Sequence, residues 1–170
     1  MKRYIFASLF VLTFTFALQA EQVRVLGAPK VEETRYPLLG LKAGVFGTIE
    51  YSYLHPILID NRLEVSFQSD VLDDASFYQY NLRATYQWMQ HYKKLAPYFN
   101  MFSGVGTGIV AYNDAKGGSF GIGILVQYGI EYNFENLPIQ LTLDYRPGYY
   151  YHAPQALVLG DLKAAIRYRF

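Results

Sequence analysis

The sequence predicts an all-β fold: an eight-stranded antiparallel up-and-down transmembrane β-barrel preceded by a cleaved signal peptide. Three observations lead there. From about residue 38 onward the chain alternates apolar and polar residues, and a sustained period of two marks strands whose two faces meet different media. Residues 1–20 have the build of an export signal. The chain also holds 17 Tyr, 12 Phe and 14 Gly among 170 residues, which suits interfacial aromatic girdles and the crowded interior of a narrow barrel.

At the N-terminus, Lys2 and Arg3 precede an apolar run from Tyr4 to Ala17, and Leu18-Gln19-Ala20 supplies a small-residue cleavage site. The run is shorter than the ~20 residues of a spanning helix, so residues 1–20 are expected to be a signal peptide removed before Glu21. Residues 21–36 keep no period and are expected to form a periplasmic lead-in to a barrel over 37–170. There is no Cys, which excludes a lipoprotein anchor, disulfides and thiolate metal sites. Charged or polar residues interrupt every later apolar stretch, so a membrane role must come from a closed barrel. Without Lys2 and Arg3 the chain has 13 basic against 14 acidic residues, a balance unlike the basic excess of a nucleic-acid binder.

The strands follow in order. Leu39, Leu41 and Ala43 alternate with Gly40, Lys42 and Gly44, and Ile49, Tyr51 and Tyr53 with Glu50 and Ser52. This run reads as two short strands around a Gly-flanked turn, or as one bent strand over 38–54. Splitting it makes eight, the even number expected of such barrels. Leu63, Val65 and Phe67 oppose Arg62, Glu64, Ser66 and Gln68. Tyr78 through Trp88 gives the cleanest alternation. Phe99, Met101, Val105, Thr107 and Ile109 oppose Asn100, Phe102, Gly104, Gly106 and Gly108. Phe120 through Phe134 opposes a set with Gly121, Gly123, Gln127, Gly129 and Glu131. Ile139, Leu141, Leu143 and Tyr145 oppose Gln140, Thr142, Asp144 and Arg146. The closing strand puts Val158, Gly160, Leu162, Ala164, Ile166, Tyr168 and Phe170 on one face and Asp161, Lys163, Ala165, Arg167 and Arg169 on the other.

Connections are expected near 55–60, 90–96 and 135–137 at the periplasmic end, and at 70–76, 112–118 and 148–156 at the extracellular end with the first turn. Closure requires the last strand to pair antiparallel with Leu38–Gly44.

The polar face carries Lys42, Glu50, Arg62, Glu64, Arg83, Glu131, Asp144, Arg146, Asp161, Lys163, Arg167 and Arg169. A soluble lipocalin-like barrel would turn this face to water. Its glycine content and the Tyr and Trp of the opposite face favour the reverse, an interior charge network inside a lipid-facing wall. Eight strands enclose only their own side chains, so the charges are expected to pair as a plug without an open pore.

The segments Gly40–Gly44, Leu82–Trp88, Gly104–Gly108, Gly129–Phe134, Pro138–Pro147 and Ala165–Phe170 resemble small outer-membrane β-barrel proteins common in Bacteroidetes. The resemblance covers nearly all of the mature chain. It implies an OmpX-like or OmpA-like size class in a Gram-negative outer membrane and carries no assigned activity. The terminal Tyr168 and Phe170 resemble the signal read by the barrel-insertion machinery. The expected partners are accordingly that machinery, outer-membrane lipid and lipopolysaccharide, and an unidentified protein or surface ligand.

No motif specifies catalysis, and neither cofactor nor metal is expected. His55 and His91 fall in turns. His152, in Tyr149-Tyr-Tyr-His-Ala-Pro154, is a weak catalytic candidate at the rim, because a lipid A deacylase would need a Ser and a carboxylate beside it and Ala153 stands where that Ser is expected. Asp70, Asp73 and Asp74 lack the spacing of a Ca²⁺ loop, and Gly104-x-Gly106-x-Gly108 is better explained by packing than by phosphate. The expected role is therefore structural or surface contact, with a lipid-modifying enzyme using His152, or a narrow pore or small-ligand carrier, as alternatives.

Overall fold

The computed structural model describes residues 36–45, 47–71, 78–91, 98–114, 117–153 and 156–170. The chain divides into two units, Met1–Glu32 and Glu33–Phe170, and the described strands belong to the second. The expected signal peptide and nearly all of the expected lead-in lie outside the described residues.

Among the described residues ten strand segments build the wall: β1 (Leu38–Gly44), β2 (Ile49–Leu58), β3 (Asn61–Val71), β4 (Tyr78–His91), β5 (Phe99–Asp114), β6 (Gly117–Asn133), β7 (Ile139–Tyr145), β8 (Gly148–Tyr151), β9 (Leu157–Val158) and β10 (Leu162–Arg169). They make eight staves, because β7 and β8 are one stave interrupted at Arg146–Pro147, and β9 and β10 are one stave interrupted over Leu159–Asp161. All neighbours are antiparallel, and a β5–β6 pairing closes the ring.

The run over 38–54 is two strands. Gly44 N–H donates to Thr48 O (2.9 Å) and Gly47 N–H to Gly44 O (3.0 Å). Gly47 has φ 77°, a left-handed conformation that glycine adopts without steric cost. β1 then pairs with β10 from Leu38↔Arg169 to Gly44↔Lys163, so first and last strands meet as closure demands.

Several connections differ from expectation. β2 runs on to Leu58, with a turn only at Ile59 and Asp60, and a register shift between Pro56 and Leu58 absorbs the missing proline donor. β5 and β6 continue through most of the expected 112–118 loop, pairing as far as Asp114↔Gly117. The expected 70–76 and 90–96 connections fall mostly outside the described residues.

The expected loop at 148–156 begins instead as strand β8, paired to β6 from Leu125↔Gly148 to Ile122↔Tyr151. Pro147 has no N–H to give, but its carbonyl accepts from Val126 N (3.0 Å), so the ladder passes the proline in unchanged register. The other edge of this stave does shift: β7 pairs Tyr145↔Leu162 with β10, while β8 pairs Gly148↔Val158 with β9. One extra residue in 159–161 makes a β-bulge. A bulge of one residue reverses the facing of what lies beyond it. Val158, expected on the lipid side with Leu162, is therefore half-buried at the mouth of the lumen.

The wall is uneven. β4, β5 and β6 have 14, 16 and 17 residues, against 7 in β1 and 8 in β10. A tilted crossing takes about 9–11 residues, so β5 and β6 project past the rim at the end away from the termini, here called the distal end.

Candidate functional site: the charged interior and its distal mouth

Burial alternates along every stave with charged groups inside. Lys42, Glu50, Gln87 and Gln127 have no exposed surface, whereas Ile124 is 72% and Ile166 53% exposed on the outer wall. In water, such a belt of Leu, Ile and Val would far exceed the few hundred Å² of contiguous apolar surface that soluble proteins tolerate. In hydrocarbon it costs nothing, and the closed ladder leaves no unpaired strand edge along the spanning part. Aromatic clusters flank the belt, with Tyr132 edge-on to Phe134 and tilted against Phe99 near the terminal end, and Phe67 beside Tyr80 toward the distal end. Thr107, on the outward face, donates its hydroxyl to Gly123 O (2.9 Å).

The interior groups fall into three layers. At the terminal end, Arg62 Nη1 donates to Glu131 Oε2 (2.7 Å), its Nε to Gln87 Oε1, and its guanidinium lies 4.8 Å from the Phe102 ring centroid. Glu131 Oε1 also accepts from Asn100 (3.0 Å). Phe102 lies over Gly129, where a Cβ would collide with the ring.

In the central layer, Lys42 Nζ pairs with Glu64 and with Asp144 Oδ2 (2.7 Å), and Arg167 Nη2 with Glu64 Oε1 (3.1 Å). Gln127 Nε2 bridges Glu64 (2.9 Å) and Asp144 (2.5 Å), and Gln87 Nε2 donates to Gln127 Oε1 (3.0 Å). These contacts join β1, β3, β4, β6, β7 and β10 across the lumen.

The distal layer converges on Glu50. Its Oε2 accepts from Arg83 Nη1 (2.9 Å), Arg146 Nη2 (2.5 Å) and Lys163 Nζ (2.5 Å), and its Oε1 from Arg146 Nη1 (2.8 Å). Asp161, delivered by the bulge, stands 3.5 Å from both Arg146 Nε and Lys163 Nζ and 3.9 Å from Arg83 Nη2. Above this layer lies a cavity of about 200 Å³ bordered by Gln68, Gln79, Asn81, Arg83, Tyr150 and Asp161.

Eleven of the twelve charged residues singled out from the sequence thus meet in one network. Arg169 does not join it. Its Nη2 donates to the carbonyls of Phe134 (2.5 Å) and Leu137 (2.6 Å), bracing the β6–β7 turn at the terminal end. Beside it, Tyr98 O–H donates to Glu135 Oε2 (2.5 Å), and this bond, which needs the proton, raises the phenol above its ordinary range. Tyr168 and Phe170 are exposed on the outer wall.

His152 is exposed at the β8–β9 tip with φ 61°. Its ring stands edge-on to Tyr151 (4.1 Å) and its carbonyl accepts from Tyr112 O–H (2.7 Å). No hydrogen bond joins its imidazole to a serine or carboxylate among the described residues. His55 meets Tyr53 O–H through Nδ1 (3.3 Å), and the side chain of His91 lies outside the described residues. No cluster of metal-ligating side chains occurs among the described residues.

The sequence reading missed the neutral half of the network. Gln87, Gln127, Gln140 and Thr142 sit at polar-face positions, so their facing was legible but their bridging was not. It also missed Tyr150, placed in a loop, whose buried hydroxyl accepts from Arg83 Nε (3.1 Å). The Arg-Pro-Gly at 146–148 looks like a strand end, which hid the continuation.

No family model and no curated protein matches the chain. Among solved structures the fold is shared with the crystal structure of neisserial surface protein A (NspA), at a TM-score of 0.56 and 19% identity over 79% of this chain and 93% of that one.

Proposed function

We propose that this chain is an integral outer-membrane protein of a Gram-negative bacterium, a sealed barrel whose role is structural or one of surface contact, with neither an open pore nor a catalytic centre. The observation that carries the reading is the inverted polarity, with buried ion pairs inside and an apolar belt outside. The cross-lumen bonds of Lys42, Glu64, Gln127 and Asp144 support a lumen closed to ion flow, since a water-filled channel needs far more strands. In this orientation the termini face the periplasm. The β5–β6 ribbon, with Phe120 and the neighbouring Tyr151 and His152, faces outward as the contact surface. The fold shared with NspA and the resemblance to small barrels of Bacteroidetes support the same placement.

The test is fractionation after expression in a Gram-negative host, followed by planar-bilayer recording of the purified protein. Co-sedimentation with the outer membrane and a silent bilayer are expected. Discrete conductance steps would end the sealed reading. A change in lipid A mass on expression, reversed by His152→Ala, would replace it with an enzyme.

A further inference from the structure

The plug is balanced in two of its three layers. The terminal layer sets Arg62 against Glu131, and the central layer sets Lys42 and Arg167 against Glu64 and Asp144. The distal layer sets Arg83, Arg146 and Lys163 against Glu50 and Asp161 alone, leaving one cation in surplus among the described residues. A buried cation without a counter-charge is costly, and here the surplus lies directly under a cavity.

Two donors border that cavity with capacity to spare. Asn81 is 2% exposed, and its Nδ2 is buried without a hydrogen-bond partner among the described residues. Arg83 commits Nε to Tyr150 and Nη1 to Glu50 and Gln68, while Nη2 has, among the described residues, only Asp161, at 3.9 Å. Asn81 and Arg83 are alternate residues of β4 and so share one face. An Arg and an amide donor side by side over a positive layer suit a planar or tetrahedral oxyanion.

Access is built into the rim. Val45 N–H to Leu162 O (3.3 Å) is the most distal backbone bond between the first and last staves among the described residues. Beyond it β9 turns away with β8 while β1 ends in its turn, so the cavity is flanked by Val45 and Val158 at a low point of the wall.

We propose that this distal cavity binds one oxyanion, a phosphate or carboxylate group, held by Arg83 and Asn81, either as a free small anion or as the headgroup of an anionic lipid. The site is independent of whether the barrel conducts. Asp161 also borders the cavity, but its carboxylate stands among Arg146, Lys163 and Arg83, and together with Glu50 it still leaves this layer one cation in surplus.

The experiment uses the full chain in a non-ionic detergent, with NMR of the Asn81 side-chain amide and the Arg83 Nε–H. Inorganic phosphate, acetate, a short-chain phosphatidylglycerol and a short-chain phosphatidylcholine are titrated in turn. Saturable shifts with phosphate or acetate assign a free anion, and shifts with phosphatidylglycerol alone assign a lipid headgroup. Asn81→Ala removes a donor the plug does not use, so it should leave unfolding unchanged and weaken binding roughly tenfold. Asn81→Asp, which supplies the missing negative charge, should weaken it further without loss of stability. Arg83→Gln disturbs the plug itself, so the Asn81 variants decide. No saturable shift with any probe, shifts equal for phosphatidylcholine and phosphatidylglycerol, or unchanged affinity in Asn81→Asp would overturn the proposal.

Discussion

The two halves of the lumen use the same chemistry to different ends. Toward the terminal end Arg62 and Arg167 meet one carboxylate each and Lys42 meets Glu64 and Asp144, with Glu50 at 3.9 Å, amides fill the remaining positions, and Phe102 packs over Gly129. Toward the distal end three cations share one glutamate, a bulge supplies a second carboxylate at longer range, and a cavity remains. The wall follows the same division, even where β1, β7 and β10 run together and uneven where β8 and β9 part from β1. A narrow barrel must be filled to be stable, but it need only be filled through the thickness of the bilayer. The distal layer departs from that filling: beside its cavity the Nδ2 of Asn81 is left uncommitted among the described residues.

The most direct way to break this contrast is at its hub. Glu50→Gln leaves Arg83, Arg146 and Lys163 without their main counter-charge, and removing one partner of a buried charge set costs about 3–5 kcal/mol. Urea unfolding followed by Trp88 fluorescence should show a loss at the top of that range, with Glu131→Gln costing less because it pairs with a single cation, Arg62, among the described residues. Equal losses would mean that the layers do not differ as described.

Next in size is the wall. Ile166→Arg puts a charge on the lipid face, where a mid-bilayer arginine costs about 2–4 kcal/mol. Its neighbour Ala165, facing inward, offers the control: Ala165→Ser should cost little, and reversed sensitivities would invert the facing.

Gly129→Ala should cost about 1–3 kcal/mol by overpacking against Phe102. The double variant Gly129→Ala, Phe102→Leu should recover part of it, the approach to the Leu143 carbonyl remaining, and no recovery would place the strain away from the ring.

The smallest effect lies outside the membrane, at the Tyr98–Glu135 bond. The raised phenol stabilises the fold through its neutral form. That contribution is intact below the ordinary tyrosine range and is lost as pH rises through the raised value. The alkaline absorbance difference between the native chain and Tyr98→Phe should therefore titrate later than an ordinary exposed tyrosine, and a curve at the ordinary position would contradict the hydrogen bond.

Most of the wall was legible because facing is a local property. Once Lys163 is known to point inward, Ala165 and Arg167 follow from the pleat, and the same rule places Arg62, Glu64, Ser66 and Gln68 together. Legibility failed where a residue pattern imitates a strand end or where the count slips by one. Arg146-Pro147-Gly148 reads as a stop, yet the length of β6 gives β8 a partner beyond it. Val158 reads as lipid-facing, yet the extra residue in 159–161 reverses it.

By itself, then, the sequence determined the period and the strand face on which each charge lies, since these depend on backbone geometry within a few residues, whereas the division of 38–54 into two staves was settled by the turn at Gly44–Thr48. The tertiary structure decided which cation meets which carboxylate, because groups such as Lys42 and Asp144, 102 positions apart, come together only through the register of a closed ring. It also decided that Glu50 is shared three ways, that Arg169 serves a turn instead of the plug, and that Asn81 and Arg83 border a cavity. No window of the sequence contains these relations, since each depends on where distant staves stop and how far they slide before the ring closes.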